Sequence, residues 1–184
     1  MSVRVLETPI RGLYVVEPVR RGDGRGYLVE TYKLGPYSDA GVVGSFVQDN
    51  LSHSTKGVLR GLHFQKGQAK LVTVVRGEIF DVAVDIRPGS SSFGRYFGTI
   101  LSGENHRQLF MPVGFAHGFC VVSEFADVWY KMTDIYRPEE EGGIRWDDPD
   151  IGVDWPISNP LVSERDRKHP HLKEISALDL AVEP

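Results

Sequence analysis

The stretch LVTVVRGEIFDVAVDIR, residues 71–87, restricts the fold most. In its second half Phe80, Val82, Val84 and Ile86 alternate with Asp81, Ala83 and Asp85. Residues two apart share one face of a β-strand, so this segment has an apolar face and a face carrying two carboxylates. Arg76-Gly77 predicts a turn between this run and the one before it. A carboxylate out of water needs a partner. One of Asp81 and Asp85 is therefore expected at the surface and the other in a pocket.

Similar runs recur along the chain. Val3, Val5, Leu13 and Val15 mark one bent strand or two short ones, interrupted at Pro9 and Gly12. An N-terminal strand of this kind needs a neighbouring edge, in its own sheet or in a partner subunit. Turn-rich RRGDGRGY (20–27) leads into YLVETY. Further strands are predicted at 46–54, 58–65, 69–76, 95–101, 106–111, 111–122 and 125–136, the last as one strand or two. Helical room is small: one short helix after Pro36 and one within SERDRKHPHLKE. From 137 onward Pro, Gly and acids dominate, with Trp146 and Trp155 as anchors. There is no internal repeat and no long helix. Ten or so short strands between turn signals predict a mainly β sandwich or barrel of the jelly-roll kind. A single domain over 1–184 is expected, with a tail from about 157.

Composition narrows the function class. Of 184 residues 41% are hydrophobic, enough for one substantial core, and the net charge of −4 argues against a general nucleic-acid binder. A local cluster of Arg and Lys can still hold a small anion. The lone Cys120 excludes an internal disulfide framework and fits a reducing compartment. No signal-peptide core and no membrane-length apolar run occurs, so a cytoplasmic protein without membrane partners is expected.

The chemistry-bearing residues concentrate in GVLRGLHFQKGQAK, 57–70. Val58, Leu62 and Phe64 suit an interior. Arg60, His63, Gln65 and Lys70 supply a fixed cation, a titratable base, an amide and an amine. A hairpin of strands 58–65 and 69–76 about the turn QKGQ would gather them. A base beside a cation suits removal of a proton from carbon and stabilisation of the anion formed. An ordinary solvated polar hairpin explains the same residues. In the strand over 46–54, Gln48, Asn50, Ser52 and Ser54 share one face by the period of two, and His53 lies on the other. Arg25, in a turn, reads equally as a solvated charge or an anion contact.

Pro112-Val-Gly114-Phe-Ala-His117 resembles the second motif of the cupins, P-x-G-x-x-H. Cupins are jelly rolls with a site in the barrel mouth, and many hold a metal with His and Glu. Here the first motif gives only His63-Phe64-Gln65, followed by Lys66 and Lys70. A neutral amide is a poor ligand for such a metal and an ammonium repels it, so no metal is expected in that position.

Five segments together carry a more specific likeness: Arg25-Gly26 with Glu30, FVQDN (46–50), GVLRGLHFQ (57–65), EIFDVAVDIR (78–87) and MPVGFAHGF (111–119). With YKMTDIY, EGGIRWDDPDIGVDWP and SERD they resemble the dTDP-4-dehydrorhamnose 3,5-epimerase family in register over nearly the whole chain. The resemblance implies a cofactor-free isomerase acting on a dTDP-4-keto-6-deoxy sugar at the two carbons flanking the ketone. It implies His63 as general base, Asp166 as its partner, Lys70 as the cation near the ketone oxygen and Tyr130 as the proton donor from the opposite face. Arg25, Glu30, Gln48, Asp49, Asn50, Arg60, His117 and Glu141 match substrate-binding positions, Arg60 as a diphosphate contact. Arg165 is placed with these substrate-binding positions, and Tyr136 and Asp81 are lesser candidates. It implies a homodimer too, with N-terminal strands contributing across the interface. Two departures stand out: a shorter turn between His63 and Lys70 than in many relatives, and Arg165 where many relatives carry Lys. Enzymes inverting one carbon only, and a non-catalytic nucleotide-sugar binder, are the competing readings.

Overall fold

The computed structural model describes residues 3–176 and residue 180. The remainder of the predicted tail, 177–179 and 181–184, and residues 1–2 lie outside the described residues. The elements in order are β1 (Val3–Glu7), β2 (Tyr14–Pro18), β3 (Arg20–Asp23), β4 (Gly26–Val29), α1 (Leu34–Asp39), β5 (Gln48–Thr55), β6 (Val58–Gln65) and β7 (Lys70–Asp85). Then come β8 (Tyr96–Ser102), β9 (Gln108–Met111), β10 (Phe115–Met132), β11 (Glu141–Gly143), β12 (Leu161–Val162) and α2 (Glu164–Arg167). A 3₁₀ turn over Leu172–Glu174 follows. The expected helix begins at Leu34, two residues before Pro36, which the first helical turn accepts because it needs no N–H there.

Two long strands organise the jelly roll. β7 and β10 pair antiparallel from Met132↔Lys70 to Phe115↔Asp85, with register shifts between Val121 and Ala126 and between Asp127 and Val128. The expected turn at Arg76-Gly77 is not a turn. Gly77 has φ of +78° and a Cβ there would run into Phe125 O, so glycine lets one strand pass through an irregularity. Likewise the strands expected separately at 111–122 and 125–136 are one, β10, and it runs only from Phe115 to Met132.

On one side of this irregularity β7 and β10 carry β9, β2, β1 and β5; on the other they carry β8, β6 and β11. These two halves form the layers of a jelly roll. β1 finds its neighbour in β2 of the same chain. β3 and β4 make a separate hairpin.

The interior is lined by Val72, Val74, Ala126 and Val128 from one half and by Ile79, Ala83, Phe119 and Val121 from the other. The opposite face of β7, with Val82, Val84 and Ile86, is covered by Ile144, Ile151 and Leu172 of the C-terminal segment. Trp155 joins that cover edge-on to Phe80, its indole N–H donating to the Trp146 carbonyl at 2.8 Å. The carboxylate face of β7 therefore points into the molecule. Both Asp81 and Asp85 are 0% exposed, so the expected surface carboxylate does not exist.

Asp85 is tolerated because it is fully bonded. The backbone and Nε of Arg87 donate to Oδ1 at 3.0 and 2.8 Å, while Arg87 Nη2, Ser90 Oγ and Ser92 Oγ donate to Oδ2 at 2.6–2.7 Å. Burial alone would raise this carboxyl, yet these donors together outweigh it and hold the pKa at about 2. Such a depressed pKa stabilises the fold by about 2 kcal/mol above the unfolded value near 3.8. Asp85→Asn should therefore cost about 2 kcal/mol in urea unfolding at neutral pH. The difference from the parent should close as the pH falls through about 2, where Asp85 itself protonates. A difference unchanged across that interval would show that the loop bonds contribute nothing through charge.

Candidate active site

β6 and β7 were expected as a hairpin, but they do not pair with each other: β10 lies between them. The link 66–69 crosses from one half of the jelly roll to the other. His63 sits opposite His117 in the β6–β10 register, whereas Lys70 sits opposite Met132 at the far end of β10. The two groups thus come from different walls of one cleft. The β6–β10 approach is close enough that a Cβ on Gly61 would meet Gly118 Cα and His117 O, and Gly61 has φ of +125°.

The cleft has a volume of about 590 Å³. It gathers Gln48 and Asn50 from β5, Arg60 and His63 from β6, Lys70 from β7, and His117 and Tyr130 from β10. Tyr136, Glu141, Arg165 and Asp166 complete its rim. Alternation on β5 turns Gln48 and Asn50 inward and Asp49 outward, where Asp49 accepts from Lys131 Nζ at 2.8 Å. Asp49 therefore does not line the cleft. Nor do Arg25 and Glu30. Arg25, 91% exposed at the tip of the β3–β4 hairpin, pairs with Asp23. Glu30 lies beyond β4 beside Lys33, at 3.9 Å. Hairpin geometry carries that segment away from its own chain's cleft.

Two His–Asp pairs flank the floor. His63 Nε2 is 2.8 Å from Asp166 Oδ1, while Asp166 Oδ2 accepts from the Gly61 N–H at 3.2 Å. Ser163 caps α2 by accepting from the Asp166 N–H, fixing the aspartate. Burial would raise the Asp166 carboxyl, but His63, Gly61 and Ser163 outweigh it and keep it ionised. An ionised partner accepts a hydrogen bond from Nε2–H, which keeps the ring proton on Nε2 and leaves His63 Nδ1 with a lone pair. The second pair is His117 Nε2 with Asp81 Oδ1 at 2.7 Å. Asp81, held only as a minor candidate from sequence, is buried behind His117, and burial raises its carboxyl against the pull of His117 and Lys70. Lys70 Nζ donates to the His63 carbonyl at 3.4 Å. Burial pushes its ammonium down to about 8, against Glu141 and Asp81.

At the mouth Arg60 is braced by Ser54 Oγ at 3.0 Å. Glu141 Oε2 accepts from Tyr136 Oη at 2.6 Å and from Arg165. Gln65, the amide in the first cupin position, spends both ends on backbone, donating to the Ile135 carbonyl and accepting from the Arg137 N–H at 2.9 Å each. Both of its amide atoms are thus already engaged with backbone.

A family model described as dTDP-4-dehydrorhamnose 3,5-epimerase matches residues 7–174. The chain belongs to the dTDP-4-dehydrorhamnose 3,5-epimerase family. A family member from Methanothermobacter thermautotrophicus is 49% identical over 93% of this chain and 95% of its own length. The crystal structure of dTDP-6-deoxy-D-glucose-3,5-epimerase from Legionella pneumophila Philadelphia 1, in complex with dTDP-4-keto-L-rhamnose, superposes with a TM-score of 0.95 at 47% identity, covering 99% of each chain. A dTDP-4-dehydrorhamnose 3-epimerase from Streptomyces niveus is 39% identical over 90% of this chain and 82% of its own.

Within this epimerase-family cleft, Gln68, Ser163 and Phe119 line the walls without having been singled out. Ser163 was open to discovery, since S-x-x-D before a helix is a capping signal. Gln68 carried no signal. His169 was also missed. Its ring packs edge-on to His63, with centroids 5.7 Å apart. Burial, then His63, pushes its imidazole below the ordinary value.

Proposed function

We propose that this chain inverts C3 and C5 of dTDP-4-dehydro-6-deoxy-D-glucose, giving dTDP-4-dehydro-L-rhamnose, and that it does so as one jelly-roll domain in a cytoplasmic homodimer. One observation carries the catalytic reading: the His63–Asp166 pair opens on the same cleft as Lys70 and Tyr130. Hydrogens on both carbons are acidified by the C4 ketone. His63 Nδ1 takes one of them, the C–H electrons move into an enolate, and its charge falls on the C4 oxygen beside the Lys70 ammonium. Tyr130, entering from the other half of the jelly roll, returns a proton to the opposite face of the carbon. Imidazolium and phenolate then exchange protons with water, which closes the cycle. A C–H bond is broken and remade with no net redox change.

The test follows deuterium from solvent into the keto sugar, carbon by carbon. Incorporation at both C3 and C5, with dTDP-L-rhamnose formed when a nicotinamide-dependent ketoreductase is coupled, is expected. Incorporation at C3 alone would give the chain the activity named for its Streptomyces niveus relative instead. Binding without exchange at either carbon would end the catalytic reading.

Arg60 at the mouth, its Nε donating to Ser54 Oγ, is suited to a diphosphate, which takes two parallel N–H donors from a guanidinium. Arg60→Ala should raise KM about tenfold or more and change kcat less than about threefold, since the diphosphate is remote from the reacting carbons. Steady-state kinetics decide it: an equal fall in kcat at unchanged KM would remove Arg60 from ground-state binding.

A further inference from the structure

His169 has no part in the proton transfers just described, yet it is built into the same corner. Its Nε2 lies 3.8 Å from Asp166 Oδ1. That nitrogen is buried and has no hydrogen-bond partner among the described residues. Buried polar atoms are normally satisfied, so an idle ring nitrogen aimed at a carboxylate needs a reason. The place is made for it: a Cβ on Gly143 would collide with the His169 ring. Gly143 is also the residue paired with His63 across β11 and β6.

His63, Asp166 and His169 each offer one donor atom, all within 4.8 Å of one another. Two imidazoles and one carboxylate oxygen make a common donor set for zinc, which bonds such atoms at roughly 2.0–2.2 Å and so needs them about 3–3.5 Å apart. The separations from Asp166 Oδ1, 2.8 Å to His63 and 3.8 Å to His169, bracket that requirement. His63 and Asp166 both border the cleft, from which an ion and a further ligand, water or an anion, would enter.

We propose that His63, Asp166 and His169 form a binding site for a divalent transition-metal ion of the zinc class, and that the bound ion inhibits the enzyme. The site differs from a cupin centre: it draws on the C-terminal segment, and His117 is already held by Asp81. The inhibitory half rests on the reading of His63 as base. A metal on Nε2 takes the place of the proton shared with Asp166. In the neutral ring that proton then sits on Nδ1, where no lone pair is left to attack a C–H bond. Inhibition needs no contact between metal and sugar.

Cobalt(II) is the probe, because it takes zinc sites and its visible absorption reports four-coordinate geometry. Titrating the full-length chain with Co²⁺ should give intense visible bands that Zn²⁺ abolishes. His169→Gln, which keeps side-chain length and removes the ligand nitrogen, should weaken Co²⁺ binding about tenfold or more. Zn²⁺ should suppress solvent exchange at C3 and C5 in the parent, reversibly with a chelator, and His169→Gln should require about tenfold more Zn²⁺. Absence of the bands in the parent, or equal Co²⁺ affinity in a folded His169→Gln, overturns the site. If that variant does not fold, Gly143→Ala, which displaces the His169 ring, must weaken Co²⁺ binding or the site fails. Bands with exchange fully retained would uphold the metal site while refuting His63 as the base, so the two readings fail separately.

Discussion

His63→Ala is expected to lower kcat about 10³- to 10⁴-fold with KM within about threefold, and to abolish deuterium uptake at C3 and C5 together. Among the described residues the polar partner of the ring is Asp166, at 2.8 Å through Nε2, and Nδ1 is the nitrogen turned to the substrate in this reading. Removing it takes away the proton acceptor for both carbons without touching Arg60 or the other mouth residues. Asp166→Asn should be less severe. It leaves an imidazole in place but no longer fixes its tautomer, so the loss falls on kcat and the pH profile shifts. Exchange at either carbon that survives in His63→Ala at the parent's rate would assign that proton to another base, with His117, backed by Asp81, the first to examine.

The second large effect is expected at Lys70. Lys70→Met should cost about 10²- to 10³-fold in kcat, the range for losing one preorganised stabiliser of a developing oxyanion. The ammonium is the working form, and burial has brought its pKa down to about 8. Activity should therefore fall as the pH rises through about 8, with charge present on the acid side and lost on the alkaline side. Lys70→Arg carries a cation that stays protonated throughout that range, so it should retain part of the rate and lose this alkaline limb. A limb that persists unchanged in Lys70→Arg belongs to a different group.

Much of the site could be read from the chain because its chemistry sits in short motifs. P-x-G-x-x-H marked His117, and the period of two on β5 separated Gln48 and Asn50 from His53. The same alternation puts Asp49 on the outward side with His53, where it pairs with Lys131. The two carboxylates of β7 misled. Alternation shows that a strand has two kinds of face, but it does not say which faces inward. In an isolated sheet Val82 and Val84 would face the core. Here a C-terminal cover buries them, and the acid face becomes the interior. The bonds that make this bearable, from Arg87, Ser90, Ser92 and His117, depend on loops and strands whose placement no local pattern encodes.

By itself the sequence determined where nearly every strand lies, that helices are few and short, and which side chains are able to move protons, because these depend on residue type and spacing over a few positions. Tertiary structure alone decided that β10 separates β6 from β7, that Lys70 faces His63 across a cleft, and that Arg25, Glu30 and Asp49 stay out of it. It also joined His63 to Asp166 across 103 residues. Pairing partner, layer and inward face are set by burial summed over the whole chain, and a strand carries the same alternation whichever neighbour it takes.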